Sequence, residues 1–172
     1  MNAVIYIHGK SGSATESEHY KPLFPDCQVT GLDYQTFSPW DTGKEIYDAV
    51  IELKSQCENI ILIANSIGAF FSMNAGIDDL IQKAYFISPV VDMEKLNGYE
   101  LTGEWLRYVK SHTVKWSVPT CILYGSKDDL VSLDTINNFA ETHNVPLTVM
   151  EEGEHWFHTE KQMVFLDNWI KI

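Results

Sequence analysis

The chain has 172 residues, 45% hydrophobic and 21% charged, with a formal net charge of −12. That length suits one domain able to bury roughly 70% of its unfolded surface. Such acidity weighs against a nucleic-acid or anionic-membrane surface, since both require a basic patch. The three cysteines, Cys27, Cys57 and Cys121, are odd in number and form no CxxC pair, so neither a disulfide framework nor a zinc site is expected.

The opening MNAVIYIHG lacks a basic n-region, and its apolar run is too short for a signal peptide. No stretch reaches the length of a membrane span, so a cytoplasmic protein is expected. No repeat, low-complexity tract or linker divides the chain, which is expected to form a single domain over residues 1–172.

Short runs rich in Val and Ile are expected as strands at Ala3–Ile7, Gln28–Tyr34, Ile60–Ala64, Lys83–Ser88, Thr120–Tyr124 and Leu147–Glu151. Near-continuous apolar character marks strands covered on both faces of a parallel sheet. Helical spacing falls between them. Thr42–Ser55 carries Ile46, Tyr47, Val50 and Ile51 behind Asp41 as N-cap, and Ile67–Ala75, Leu133–His143 and Lys161–Ile170 follow. The alternation predicts an α/β fold: an open, mostly parallel six-stranded sheet with helices on both faces, a three-layer sandwich. Residues 89–118 interrupt this rhythm. Asn97-Gly98 marks a turn, and Glu104–Ser111 reads as helical. The interval is either an ordinary crossover or a short cap at 93–117 carrying Tyr99, Trp105, Tyr108 and Trp116.

In such sheets, functional residues gather beyond the carboxyl ends of the strands. The first strand ends in His8-Gly9-Lys10. The third ends in Ala64-Asn65-Ser66-Ile67-Gly68, where a serine sits between an apolar strand and a helix start. The fifth runs into Gly125-Ser126-Lys127-Asp128-Asp129-Leu130-Val131, and the sixth into Gly153-Glu154-His155-Trp156-Phe157-His158. A serine, an aspartate and a histidine thus follow three strands in that order. A neutral hydroxyl needs a base to become a nucleophile, and imidazole suits the task. A carboxylate fixes the imidazole tautomer and stabilises the imidazolium. The oxyanion needs backbone donors, here the N–H of Ile67 and one from the loop after the first strand. The residues alone leave Asp128, Asp129 and Asp92 open as the acid, and His155 and His158 as the base. As a bland alternative, Ser66 merely caps a helix.

Taken together, these motifs resemble the α/β-hydrolase superfamily. An HG loop after an early strand matches His8-Gly9-Lys10 and implies Lys10 N–H as the second oxyanion donor. The acid-loop pattern G-x-x-D-x-x-V fits Gly125, Asp128 and Val131, and the histidine motif fits Gly153, His155 and Trp156. The resemblance implies a triad of Ser66, His155 and Asp128 with an oxyanion hole at Lys10 and Ile67. It covers nearly the whole chain but lacks the two N-terminal strands of the full fold, as in a small, nearly capless esterase-like member. The elbow pattern usually begins with glycine, and Ala64 departs from it by one methyl group.

The resulting expectation is a serine hydrolase acting on a small carboxylic ester, with thioester and amide bonds behind it, needing no metal or organic cofactor. Tyr34, Phe37, Trp40 and Trp105 are candidates to line an apolar acyl or alcohol pocket. The partner is a small molecule, with no nucleic acid and no membrane. Two other classes compete. A binding protein on the same fold would hold the three side chains apart. A nucleotide-binding domain would need a GxGxxG or P-loop pattern, which HGKSGS does not supply.

Overall fold

The computed structural model describes residues 1–171. Six strands, β1 (Asn2–Ile7), β2 (Cys27–Leu32), β3 (Asn59–Asn65), β4 (Lys83–Ile87), β5 (Thr120–Gly125) and β6 (Leu147–Met150), form one open sheet in the order β2-β1-β3-β4-β5-β6. Every pairing is parallel. The chain leaves β1 toward β2 and returns on the other side of β1 to β3, so the strand order reverses between β1 and β3. A crevice opens at such a point beyond the strand ends. Here it lies between the loop after β1 and the turn after β3.

The alternation of side chains along each strand builds two apolar layers. Ile5, Ile7, Ile60, Leu62, Phe86 and Ile122 face one side, where α1 (Asp41–Lys54), α2 (Ile67–Met73) and α4 (Leu133–His143) bury Ile46, Val50, Phe71, Ile136 and Phe139. Val4, Tyr6, Ile63, Tyr85, Ile87 and Leu123 face the other, against Leu166, Trp169 and Ile170 of α5 (Glu160–Ile170). Burying both faces explains why the strands read as apolar runs rather than alternating ones. Cys57 is a buried apolar residue, whereas Cys121 is only half-buried.

No expected strand or helix boundary moves by more than two residues, but two local expectations are corrected. The cap of α1 is Ser38, not Asp41. Ser38 carbonyl accepts from Thr42 N–H at 2.8 Å, and Ser38 Oγ accepts from Asp41 N–H at 3.0 Å. Pro39 then takes the first helical position, where its missing N–H costs nothing. The β1–β2 connection contains a 3₁₀ helix, Ala14–Leu23, where no helix was expected. Its sequence ATESEHYKPL has no apolar period and buries only Ser17 and Tyr20.

Within 93–117 lie a 3₁₀ turn, Met93–Lys95, and a helix, α3 (Gly103–Ser111), none of whose residues is fully buried. Tyr108 hydroxyl donates to Asn74 Oδ1 at 2.9 Å, tying α3 to the end of α2. Trp116 does not belong with the surface aromatics of this segment. It is buried against Phe86 and donates from Nε1 to Thr120 Oγ1 at 2.8 Å.

Candidate active site

Ser66 occupies the turn between β3 and α2 with φ 53° and ψ −123°, a conformation that L residues rarely adopt. Such a backbone costs about 1–3 kcal/mol and persists only where the surroundings hold it. Here they do. Ser66 N–H donates to Ile87 carbonyl at 3.0 Å, while Ser66 carbonyl accepts from Ala69 N–H at 3.1 Å and Val90 N–H at 3.0 Å. The turn also presses the start of α2 against the end of β1. A Cβ at Gly68 would lie 2.6 Å from Ile7 carbonyl oxygen and 2.7 Å from that of His8, so only glycine fits. The methyl of Ala64, by contrast, is accepted within the fully buried core between Ile7 and Phe86.

The acid and histidine loops are laced to each other. Ser126 N–H donates to Met150 carbonyl at 3.0 Å and Lys127 N–H to Gly153 carbonyl at 2.8 Å. Glu152 N–H donates to Ser126 Oγ at 2.9 Å. A Cβ at Gly125 would stand 2.3 Å from Gly153 carbonyl oxygen, so the two loops are as close as backbone allows.

These loops bring three sequence-predicted residues into one relay. Ser66 Oγ lies 2.8 Å from His155 Nε2, and His155 Nδ1 lies 2.7 Å from Asp128 Oδ2. The Asp128 side chain is wholly buried, and its Oδ1 accepts from Leu130 N–H and Val131 N–H, both at 2.9 Å. An ionised carboxylate can only accept, so Nδ1 carries the imidazole proton and Nε2 presents its lone pair to the Ser66 hydroxyl. The binding-protein alternative required these side chains out of reach of one another, and they are within it.

The rival residues lie elsewhere. His158 Nδ1 sits 2.8 Å from Trp156 carbonyl oxygen, and its ring stacks on the Trp156 indole at 4.2 Å. Asp92 Oδ1 accepts from Glu94 N–H at 3.0 Å, capping the 3₁₀ turn. Asp129 is exposed.

Ile67 follows Ser66 directly, and Lys10 follows Gly9 in the loop after β1. Ile67 opens α2, where an N–H has no acceptor inside the helix. Among the described residues, neither its N–H nor that of Lys10 donates to a backbone carbonyl. Gly9, just before Lys10, lies against the serine: a Cβ there would be 3.3 Å from Ser66 Cβ. Sequence reasoning missed what fixes this loop. Tyr34 hydroxyl donates to His8 carbonyl at 3.0 Å, and its ring stacks on the buried His8 imidazole at 4.2 Å. On the other flank, Glu16 carboxylate accepts from Tyr6 hydroxyl and from Ser13 N–H. Burial pushes both the Tyr34 and Tyr6 phenols above their ordinary range, keeping them as donors. Nothing in the sequence pattern marked the Tyr34–His8 or the Tyr6–Glu16 contact, since each joins residues on different elements.

The four aromatics expected to line a pocket pack against other rings. Trp105 of α3 packs on Phe37 and Trp40, and Tyr34 on Phe71. A cavity of about 410 Å³ lies between α2, α3 and α4, lined by Phe70, Val91, Tyr108 and Phe139 together with polar residues such as Asp92 and Asn138.

Sheet order, elbow and relay together define the α/β-hydrolase fold in this chain. Solved structures agree. Est1E from Butyrivibrio proteoclasticus superposes with a TM-score of 0.77 over 99% of this chain and 85% of its own, at 17% identity. That protein has also been solved with ferulic acid bound. A thermophilic esterase from Thermogutta terrifontis, Est2 with butyrate bound, gives a TM-score of 0.68 over 98% of this chain and 82% of its own, at 16% identity. No family model matches the chain. A Mycoplasma genitalium protein provisionally named esterase/lipase 3 is 33% identical over 100 residues, which span 51% of this chain and 36% of that protein. The chain therefore aligns with about a third of that relative's length. Among the described residues, no helix is long and apolar enough to cross a membrane.

Proposed function

We propose that this chain is a serine hydrolase that transfers the acyl group of a small carboxylic ester to water. Ser66 Oγ attacks the carbonyl carbon as His155 Nε2 takes its proton. The tetrahedral oxyanion accepts from the N–H groups of Lys10 and Ile67. The imidazolium, stabilised by Asp128, then returns the proton to the departing alkoxide. Water repeats the sequence on the acyl-enzyme, with His155 again as base, and releases the carboxylic acid. The chemistry uses protein groups alone.

The single observation that carries this reading is the unbroken relay from Ser66 Oγ through His155 to a buried, doubly anchored Asp128. The Thermogutta terrifontis neighbour is named an esterase, and that favours an ester over a thioester or amide here. Est2 is also phosphorylated by paraoxon, so an organophosphorus probe suits the test.

The chain is expected to hydrolyse p-nitrophenyl acetate and to label with a fluorophosphonate, and Ser66→Ala to lose both. Removing the nucleophile of such a relay costs about a millionfold in kcat, down to a residual set by the oxyanion hole and binding. Undiminished turnover in a clean Ser66→Ala preparation would refute the mechanism.

A further inference from the structure

Trp105 of α3 sits at the centre of an aromatic cluster that extends to α2 and, through Phe37, to Lys10 of the loop after β1. The Trp105 ring centre lies 6.1 Å from that of Phe37, 6.2 Å from Trp40, 6.3 Å from Phe70, 6.1 Å from Phe71 and 6.2 Å from Tyr99. Among the described residues, no other ring is central to so many. Phe70 and Phe71 stand one turn beyond Ser66 on α2. Phe37 lies under the Lys10 ammonium, 5.9 Å away, and Tyr34 joins Phe71 to the carbonyls of the His8-Gly9 loop. The basin that Trp105 fills is thus walled by the oxyanion loop on one side and the nucleophile's own helix on the other.

We propose that Trp105 determines acyl specificity: its indole plugs the acyl side of the site and restricts the enzyme to short acyl groups. The inference rests on the reading of Ser66 as nucleophile. Stereochemistry decides which half of the ester meets the basin. The leaving oxygen must reach His155 Nε2 to be protonated, so the alcohol half lies toward the histidine loop, where Trp156 is exposed. With the oxyanion held by Lys10 and Ile67, the acyl half is left to point away from His155, along α2 and the oxyanion loop. That is the Trp105 basin.

The plug is held from outside the core. None of the residues of α3 is fully buried, and the helix is pinned to α2 by the Tyr108–Asn74 hydrogen bond. Phe70 and Tyr108 pack toward Trp105 and Trp40 respectively, and both also line the cavity of about 410 Å³. That volume falls within the range of ordinary small-molecule pockets, ~300–1,000 Å³. Removing the indole would open the basin, and the Phe70 and Tyr108 rings border both the aromatic cluster and this cavity, giving a longer acyl chain room to lie.

The test compares kcat/KM for p-nitrophenyl acetate and p-nitrophenyl octanoate, with active sites counted by fluorophosphonate titration. The wild type is expected to favour acetate, since a few methylenes without a pocket cost about 10-fold or more. Trp105→Ala should raise the octanoate-to-acetate ratio by about 10-fold or more, with Trp105→Phe intermediate and serving if the alanine variant does not fold. Leu106→Ala, on the exposed side of the same helix, should leave the ratio where it was. An unchanged ratio in both Trp105 variants, or an equal rise in Leu106→Ala, overturns the plug while leaving the nucleophile standing. Absence of labelling and of acetate turnover in the wild type instead overturns the hydrolase reading, and the plug with it.

Discussion

Gly125→Ala tests whether the close approach of two loops sets the geometry of the relay. A Cβ at this position would meet Gly153 carbonyl oxygen at 2.3 Å, its carbon at 2.4 Å and Glu154 carbonyl oxygen at 2.6 Å. These are backbone atoms and cannot rotate away. Ordinary contact begins at 3.4 Å, so the loops must part by about 1 Å. Three residues on from Gly125 is Asp128, and two on from Gly153 is His155, joined at 2.7 Å. A misplacement of about 1 Å costs on the order of 100-fold in rate, and an overpacked methyl about 1–3 kcal/mol in stability. The expected result is a folded variant with kcat on p-nitrophenyl acetate reduced by about two orders of magnitude, and fluorophosphonate labelling slowed in parallel. Gly76→Ala is the control for stability alone. Its φ of +69° makes alanine strained, yet nothing lies within 4 Å of the added atom. It should lower the urea midpoint and leave turnover per active site intact. Turnover of Gly125→Ala within a few-fold of wild type would refute the claim that this contact positions the acid against the base.

Asp128→Asn should keep the loop, because its oxygen can still accept from Leu130 and Val131 N–H, yet cut kcat by up to about ten-thousandfold through the wrong imidazole tautomer. Asp92→Asn and Asp129→Asn, assayed alongside with native circular dichroism, should do little, and a severe loss at Asp92 would move the acid to the end of β4. His158→Ala should leave most of the hydrolysis and labelling, since its imidazole meets the Trp156 carbonyl rather than the serine. Burial pushes the Tyr124 phenol up to about 12, with Tyr6, Tyr20 and Tyr34 raised in the same direction. A phenol ionises near ~10 when unfolded. The stability these groups confer is therefore complete below that pH and is lost as pH rises toward 12. Urea midpoints measured at neutral and at increasingly alkaline pH should fall through that window, and a flat profile contradicts the burial argument.

What the sequence disclosed is what short-range chemistry encodes. Val- and Ile-rich runs such as Ile60–Ala64 could not be solvated strands, and the small residues about Ser66 could only be a turn. Their order along the chain was enough to anticipate a parallel sheet and the loops that end on its rim. The geometry of the rim was hidden, because it depends on which strands are neighbours. Nothing in HGK or in QTFSPW states that Tyr34 will hold the His8 carbonyl, or that Trp105, some seventy residues on, will pack between Phe37 and Trp40. The Asp41 cap was misplaced for a local reason. Ser38-Pro39 is itself a strong helix start, three residues before the point where amphipathic spacing becomes visible.

The fold also explains where precision comes from. The sheet carries the site at one end of six strands, and each participating loop begins directly from a strand terminus. Loops of this kind are ordinarily the mobile part of a domain. Here they are fixed by backbone groups that a substitution cannot easily rearrange. Ser66 is held on both sides by bonds to the end of β4, and Asp128 by two N–H groups of its own loop. The histidine loop is sewn to the acid loop through Ser126 and Lys127. The serine must be strained and the loops nearly in contact for one hydroxyl, one imidazole and one carboxylate to align. The plug proposed for Trp105 is a side-chain feature of α3, whereas the relay itself rests on main chain.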